Sequence, residues 1–199
     1  MVLYALIALI LGIALGFSGF QPDWLLFVTS NTTAVLYILM FLVGISVGFH
    51  KGLIKQLKSN PGLLVIVPTA TIVATLGAGF VLSLFTGIPS GISTAITSGL
   101  GWYSLSGITL TTLVSADIGT ITFLSNLLRE MLSFFSIPLI SKYLNYPTAI
   151  APAAATSEDT TLAMLIRYTD EHTAMIAVFN GIVCSAAVPI LIPFCLKFF

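Results

Sequence analysis

The chain has 199 residues, of which 57% are hydrophobic and only 7% are charged, and its formal net charge is zero. Soluble domains carry roughly 25% charged residues, so this composition indicates an integral membrane protein. A neutral chain has no electrostatic basis for binding nucleic acid, which excludes that class of partner.

Two apolar stretches open the chain and predict its first membrane-spanning helices. Residues 2–20 lack the basic start and the small-residue cleavage site of a signal peptide, so we expect this stretch to remain as a helix. The second stretch, 33–49, is followed at once by the densest basic cluster of the sequence. By the positive-inside rule that end of the helix faces the cytoplasm. The cluster consists of Lys51, Lys55 and Lys58 and lies beside His50.

Three further apolar stretches predict three more spans, and two stretches of a different kind lie between them. Residues 88–115 and 147–167 are rich in small and hydroxylated residues and contain prolines, which favours broken rather than continuous helices. In lipid, irregular backbone survives only where protein or a water-filled cavity covers it. We therefore expect one all-α membrane transporter domain over residues 1–199, with about five spans and two broken segments. The spans are predicted at 2–20, 33–49, 61–85, 118–140 and 173–196.

The two broken segments have two alternative courses through the bilayer. If both cross it, the chain has seven spans, with Lys142 outside and Arg167 inside. If both are re-entrant, the chain has five spans, and both residues join the cytoplasmic lysines while only Lys197 lies outside. The re-entrant alternative obeys the positive-inside rule better. It predicts a cytoplasmic N-terminus and an external C-terminus.

The two broken segments resemble each other when one is shifted along the chain by a constant offset of 54 residues. Ala95 and Trp102 in the first segment correspond at this offset to Ala149 and Thr156 in the second. Shifted by the same offset, the predicted span at 61–85 aligns with the start of the fourth predicted span. With re-entrant segments, the first would enter from outside and the second from the cytoplasm. That is the inverted repeat of many secondary transporters, whose binding sites lie near the middle of the membrane.

Glu130 is the sharpest candidate for chemistry, because it lies in the middle of the fourth predicted span. An ionisable group at that depth costs at least ~2.5–3.5 kcal/mol, and such groups usually face a pathway or a partner. Burial disfavours the charged carboxylate, which suits the group to proton exchange. The alternative is that Arg129 or Arg167 neutralises it. Asn126 lies one helical turn earlier on the same face, where it would orient the carboxyl group or contact a ligand.

The broken segments supply the remaining candidates. In the second segment, freed backbone groups and two carboxylates form a candidate cation site, and the alternative is a loop exposed to the cytoplasm. In the first segment, aromatic faces suit an ammonium ion, and the alternative is anchoring at the membrane interface. These candidates are Trp102, Tyr103, Ser104 and Ser106 in the first segment and Thr156, Ser157, Glu158 and Asp159 in the second.

We expect neither catalysis nor metal binding to be the function of this protein. The sequence contains no nucleophile and base constellation, no metal-binding helix motif and no phosphate-binding loop, so an enzyme is not expected. His50 and His172 lie at the expected membrane boundaries, and Cys184 and Cys195 lie within the last apolar stretch. We expect no metal site and no resident cofactor.

Five motifs resemble the bacterial lysine exporter LysO family and together cover nearly the whole chain. The run Gly101-Trp-Tyr-Ser-Leu-Ser-Gly107 is the most specific of them. The resemblance is to the C-terminal half of that family. The other motifs are Phe41-Leu-Val-Gly-Ile45, Asn126-Leu-Leu-Arg-Glu130, Thr156-Ser157-x-Asp159 and Val188-Pro-Ile-Leu191.

The resemblance implies export of L-lysine and close analogues across the cytoplasmic membrane by antiport, with a proton or sodium as the coupling ion. It places Glu130 at the family's intramembrane acidic position. It favours Asp159 over Glu158, which falls at the variable position of its motif. Full-length relatives carry an additional N-terminal domain, so the resemblance implies a separate membrane subunit of that type or a homo-oligomer. The alternatives are a transporter of another amino acid or cation, and a non-transporting membrane subunit.

Overall fold

A computed structural model describes residues 61–199 continuously and a few isolated earlier positions. The contacts divide the chain into two compact units, Met1–Lys51 and Gly52–Phe199, and the second is described below. The predicted spans at 2–20 and 33–49, the basic cluster and the Phe41 motif lie outside the continuously described residues. The isolated positions are 7, 11, 14–17, 22, 27, 31, 38, 41 and 45.

The continuously described part of the chain is helical and contains no strand. Three of its helices, of 26 to 28 residues, are long and apolar enough to cross a membrane, which confirms the predicted all-α membrane class. At a rise of about 1.5 Å per residue, each is longer than the ~30 Å hydrocarbon core of a bilayer. The helices are α1 (Pro61–Thr86), α2 (Ser90–Thr97), α3 (Tyr103–Leu113), α4 (Ala116–Tyr143), α5 (Leu162–Tyr168) and α6 (Glu171–Phe198), with 3₁₀ turns at Pro147–Ile150 and Ala154–Glu158.

Side-chain caps set the starts of α4 and α6. Ser115 Oγ accepts a hydrogen bond from Ile118 N at 3.3 Å, and Asp170 Oδ1 accepts one from Thr173 N at 2.7 Å. These bonds satisfy main-chain N–H groups that the first turn of a helix leaves free. The hydrogen bonds from Thr173 also hold the pKa of Asp170 below its ordinary value.

The long helices alternate in direction, so the described unit has two ends. A buried apolar cluster that includes Leu64, Ile137 and Ile176 marks the first end. Phe80 and Phe199, whose ring centroids are 6.4 Å apart, mark the second end. Helices α1 and α6 therefore run from the first end to the second. Helix α4 runs the opposite way, because Ile137, near its C-terminus, belongs to the first end.

The first broken segment, α2 and α3, starts and finishes at the second end. Ser93 Oγ in α2 donates to Gly79 O in α1 at 2.6 Å, so α2 runs back along α1 towards the middle. Helix α3 then returns along the first turns of α4, where a Cβ on Gly119 would overlap the hydroxyl of Thr111. The segment therefore enters from one end and leaves by the same end.

The second broken segment makes the same excursion from the first end. It leaves α4 at Tyr143, reaches the middle through the two 3₁₀ turns, and returns through α5, whose Leu165 belongs to the first-end cluster. The two tips meet where Ala155 N donates to Leu100 O at 3.0 Å. This arrangement is the one that a five-span topology requires. The number of spans in the whole chain stays a prediction, because the two N-terminal spans lie outside the continuously described residues.

Candidate functional site

Asn126 forms hydrogen bonds with main-chain groups at the point where the helix of the first broken segment is interrupted. Leu100 and Gly101, where the helix breaks, have φ angles of 51° and 92°. Such angles are incompatible with a continuing right-handed helix. Asn126 Oδ1 accepts from Gly101 N at 2.8 Å, and Asn126 Nδ2 donates to Ile96 O at 2.9 Å and to Thr122 O at 3.0 Å. The amide therefore bonds both sides of the break and holds its tip against α4.

Asn180 holds the tip of the second broken segment from α6. Its Nδ2 donates to Ala154 O and to Ser157 Oγ, both at 3.0 Å, and Ser157 Oγ also donates to Ala177 O at 2.7 Å. Ala154 has a φ of 48° and follows Leu100 by the same interval that separates Asn180 from Asn126. The sequence interpretation did not select Asn180. Extending the repeat offset to α4 and α6 would have identified it.

Arg129 binds the second broken segment from α4. Its Nε donates to Pro152 O at 3.1 Å, its Nη2 to Ala151 O at 3.2 Å and its Nη1 to Thr75 Oγ1 at 3.1 Å. Arg167 is exposed. Neither arginine donates a hydrogen bond to Glu130, whose two carboxylate oxygens have no hydrogen-bond partner among the described residues.

Glu130 carries the least compensated carboxylate in the described unit. Its side chain is only 1% exposed. An ionised carboxylate in that state would carry a desolvation penalty of several kcal/mol, and the Thr160 hydroxyl is the one described group near enough to offset part of it. Two states of Glu130 are therefore compatible with its burial. In one it is a neutral, protonated acid, and in the other it is a carboxylate that binds a cation with N–H donors.

Asp159 and Tyr103 lie close enough to Glu130 to interact with it electrostatically. The side chain of Asp159 is exposed, and its Oδ1 accepts hydrogen bonds from the N–H and the hydroxyl of Thr160. That hydroxyl also lies near Glu130. Tyr103 is half-buried, with its ring 5.2 Å from that of Phe123. The resulting acid cluster, defined as Tyr103, Glu130 and Asp159, has a buried carboxylate, an exposed carboxylate and a half-buried tyrosine, and side chains of these kinds bind ammonium ions.

The other predicted site residues support the broken segments or face elsewhere. Ser106 Oγ donates to Trp102 O at 2.7 Å, and Thr156 Oγ1 donates to Ala153 O at 2.9 Å, so both hydroxyls bond their own segment. Glu158 Oε1 accepts from Ser185 Oγ at 2.8 Å and lies against α6. The side chains of the neighbouring residues Glu158 and Asp159 therefore lie in different surroundings. Trp102 and Ser104 are half-buried beside the first tip.

Comparison with known proteins identifies the family. The family described as "Lysine exporter LysO" matches residues 6–196. Lysine exporter LysO of Escherichia coli (strain K12) is 34% identical over 186 residues, which are 93% of this chain and 60% of that protein. The putative lysine exporter of Haemophilus influenzae (strain ATCC 51907 / DSM 11121 / KW20 / Rd) is 34% identical over 187 residues, 94% of each chain. No solved structure matches. This multi-pass membrane chain belongs to the lysine exporter LysO family, as its motifs predicted.

Proposed function

We propose that this protein exports L-lysine across the cytoplasmic membrane and binds the ammonium group of its substrate at the acid cluster. Two relatives named as lysine exporters support the choice of substrate. The observation that carries the proposal is the buried Glu130 carboxylate, whose oxygens accept no hydrogen bond of normal geometry from the described residues and have only the Thr160 hydroxyl nearby. An ammonium ion supplies both the positive charge and the N–H donors that this carboxylate requires.

The two acids have different tasks in this proposal. Asp159 is exposed and meets the incoming ammonium first, whereas Glu130 is buried and binds it after the water shell is lost. Tyr103 covers the bound cation with its ring. A proton taken up by Glu130 cancels the charge that holds the ammonium, so protonation favours release. Proton and lysine would then exchange in opposite directions, which is antiport; sodium is the alternative coupling ion.

Replacing Glu130 by glutamine tests the proposal most directly. Removing one partner of a buried, hydrogen-bonded charge pair costs ~2–5 kcal/mol, so Glu130→Gln should weaken apparent lysine affinity by at least roughly 30-fold. The pH dependence of export should also disappear. Both are measured as radiolabelled lysine efflux from proteoliposomes over a range of pH values. Glu171→Gln, which removes an exposed acid at the start of α6, is the matched control and should export normally.

One result would contradict this mechanism: Glu130→Gln exporting lysine at the wild-type rate with an unchanged pH profile. The substrate is tested in the same vesicles by competition. Excess unlabelled lysine should suppress efflux of labelled lysine, and arginine should compete less well. Sodium that suppresses lysine efflux as strongly as lysine does would favour the alternative of a cation transporter.

A further inference from the structure

A second polar region lies outside the acid cluster, in a cavity of about 1060 Å³ between α1 and α4. Its walls are largely aliphatic, as in most small-molecule sites, with a few polar groups. Arg129 and Thr71 are among these groups, whereas Glu130 and Asp159 do not line the cavity. The cavity therefore presents a positive charge and hydroxyl groups, the reverse of the acid cluster.

The guanidinium of Arg129 retains unused donors. Of the five N–H groups of an arginine side chain, three are bonded here, to Pro152 O, Ala151 O and Thr75 Oγ1. One N–H on Nη1 and one on Nη2 have no acceptor among the residues that the structure describes. Two such N–H groups on one guanidinium can bind a carboxylate through two hydrogen bonds. The charge also lacks an acidic partner within the described part of the chain.

Thr71 provides an independent indication of a ligand. Its side chain is 3% exposed, and its Oγ1 has no hydrogen-bond partner in the described unit. Most buried hydroxyl groups are hydrogen-bonded, so an unsatisfied one requires an explanation. Thr71 lies one turn before Thr75, which accepts from Arg129, and both threonines line the cavity. The Thr71 hydroxyl from α1 and the Arg129 guanidinium from α4 both line the cavity, and both are donors for the same kind of acceptor.

We infer that Arg129 and Thr71 form a subsite for the carboxylate of the transported amino acid. This inference rests on the proposed function and extends it from the ε-ammonium to the carboxylate of the substrate. Consecutive residues of a helix point about 100° apart, so Arg129 and Glu130 serve different sides of α4. Lysine carries a carboxylate and an ε-ammonium at its opposite ends. Such a subsite makes the protein select an amino acid over a diamine of the same length.

The test compares lysine with cadaverine (1,5-diaminopentane), which has the same carbon chain and no carboxylate. Charge-assisted hydrogen bonds contribute ~1.5–3 kcal/mol, so wild-type protein should prefer lysine by about 10-fold or more in competition for efflux. Thr71→Val keeps the side-chain shape and should reduce the preference, and Arg129→Gln should abolish it. In the Thr71→Val variant cadaverine binding should be unchanged. Thr69→Val, at an exposed position of α1 outside the cavity, is the control.

Calorimetric titration in phosphate-free detergent gives the same ranking without requiring transport. Equal binding of lysine and cadaverine by wild-type protein, or an unchanged preference in both variants, would overturn the subsite and leave lysine export standing. Absence of lysine efflux from wild-type vesicles, including vesicles that also contain co-expressed membrane proteins, would instead contradict the proposed function. A lipid phosphate offers the same acceptor chemistry. Stabilisation by phosphatidylglycerol that Thr71→Val removes, without any lysine preference, would assign the site to lipid and overturn the inference.

Discussion

At the residue scale, single polar side chains replace the main-chain bonds that two interrupted helices lose. A buried main-chain group without a partner costs about as much as a lost hydrogen bond, and water is scarce at membrane depth. Asn126 bonds the first tip and Asn180 the second. Each amide donates and accepts, so one side chain satisfies groups on both sides of a break or ties a break to its neighbouring helix.

Replacing Asn126 by alanine should destabilise the protein. The substitution leaves Gly101 N without a partner and removes one donor from Ile96 O, which keeps the hydrogen bond from Gly99 N at 3.4 Å. Each unsatisfied buried group costs ~1–3 kcal/mol, and thermal unfolding in detergent measures the change. Thr120→Ala, on the exposed face of the same helix, is the control. Its stability should stay within about 0.5 kcal/mol of wild type. Equal stability of Asn126→Ala and Thr120→Ala would refute the holding role.

At the element scale, the broken character of both segments was predictable, but their hydrogen bonds were not. Glycine, proline and serine indicated where helices would stop, and the constant offset related the two segments. The partners of the breaks come from other helices, and local sequence does not encode such long-range bonds. Arg129 illustrates this point. Its place beside Glu130 suggested neutralisation, whereas the fold directs it to main-chain carbonyls of the second segment.

The packing of α3 on α4 depends on small residues and yields a matched pair of substitutions. A Cβ on Gly119 would lie 2.8 Å from Gly107 O, so Gly119→Ala must push the helices apart. Overpacking of this kind costs ~1–3 kcal/mol. A methyl group on Gly77 in α1 would meet no neighbouring heavy atom within 4 Å. Gly77→Ala should therefore be neutral or stabilising, by up to ~1 kcal/mol. Unfolding temperatures that fall equally in both variants would contradict this packing.

At the scale of the whole molecule, the described unit is built on a repeated plan. Helices α1, α4 and α6 begin at Pro61, Ala116 and Glu171, and a broken segment follows each of the first two. Composition alone indicated a membrane protein, and the motifs indicated its family. The meeting of the tips could not be read from the sequence, because it depends on two segments that enter from opposite ends. The acid cluster likewise joins residues from three separate elements.

Whether this chain transports alone is a further prediction to test at this scale. Its sequence covers 60% of the Escherichia coli relative and 94% of the Haemophilus influenzae one. We expect it to work with a separate membrane subunit or as a homo-oligomer. Lysine efflux from vesicles that contain only this chain, together with its mass in detergent, distinguishes the cases. Full efflux by a monomer would refute both assemblies, and efflux restored by co-expressed membrane proteins would support a subunit.

The contact between the tips has a mechanical consequence. One turn of α4 holds both of them, since Asn126 is bonded to the first and Arg129 to the second, while Ala155 N is bonded to Leu100 O between them. A displacement of either tip must therefore break that joint or carry the other tip with it. If either tip moves during the proposed export cycle, the other tip must therefore move with it or lose the hydrogen bond that joins them.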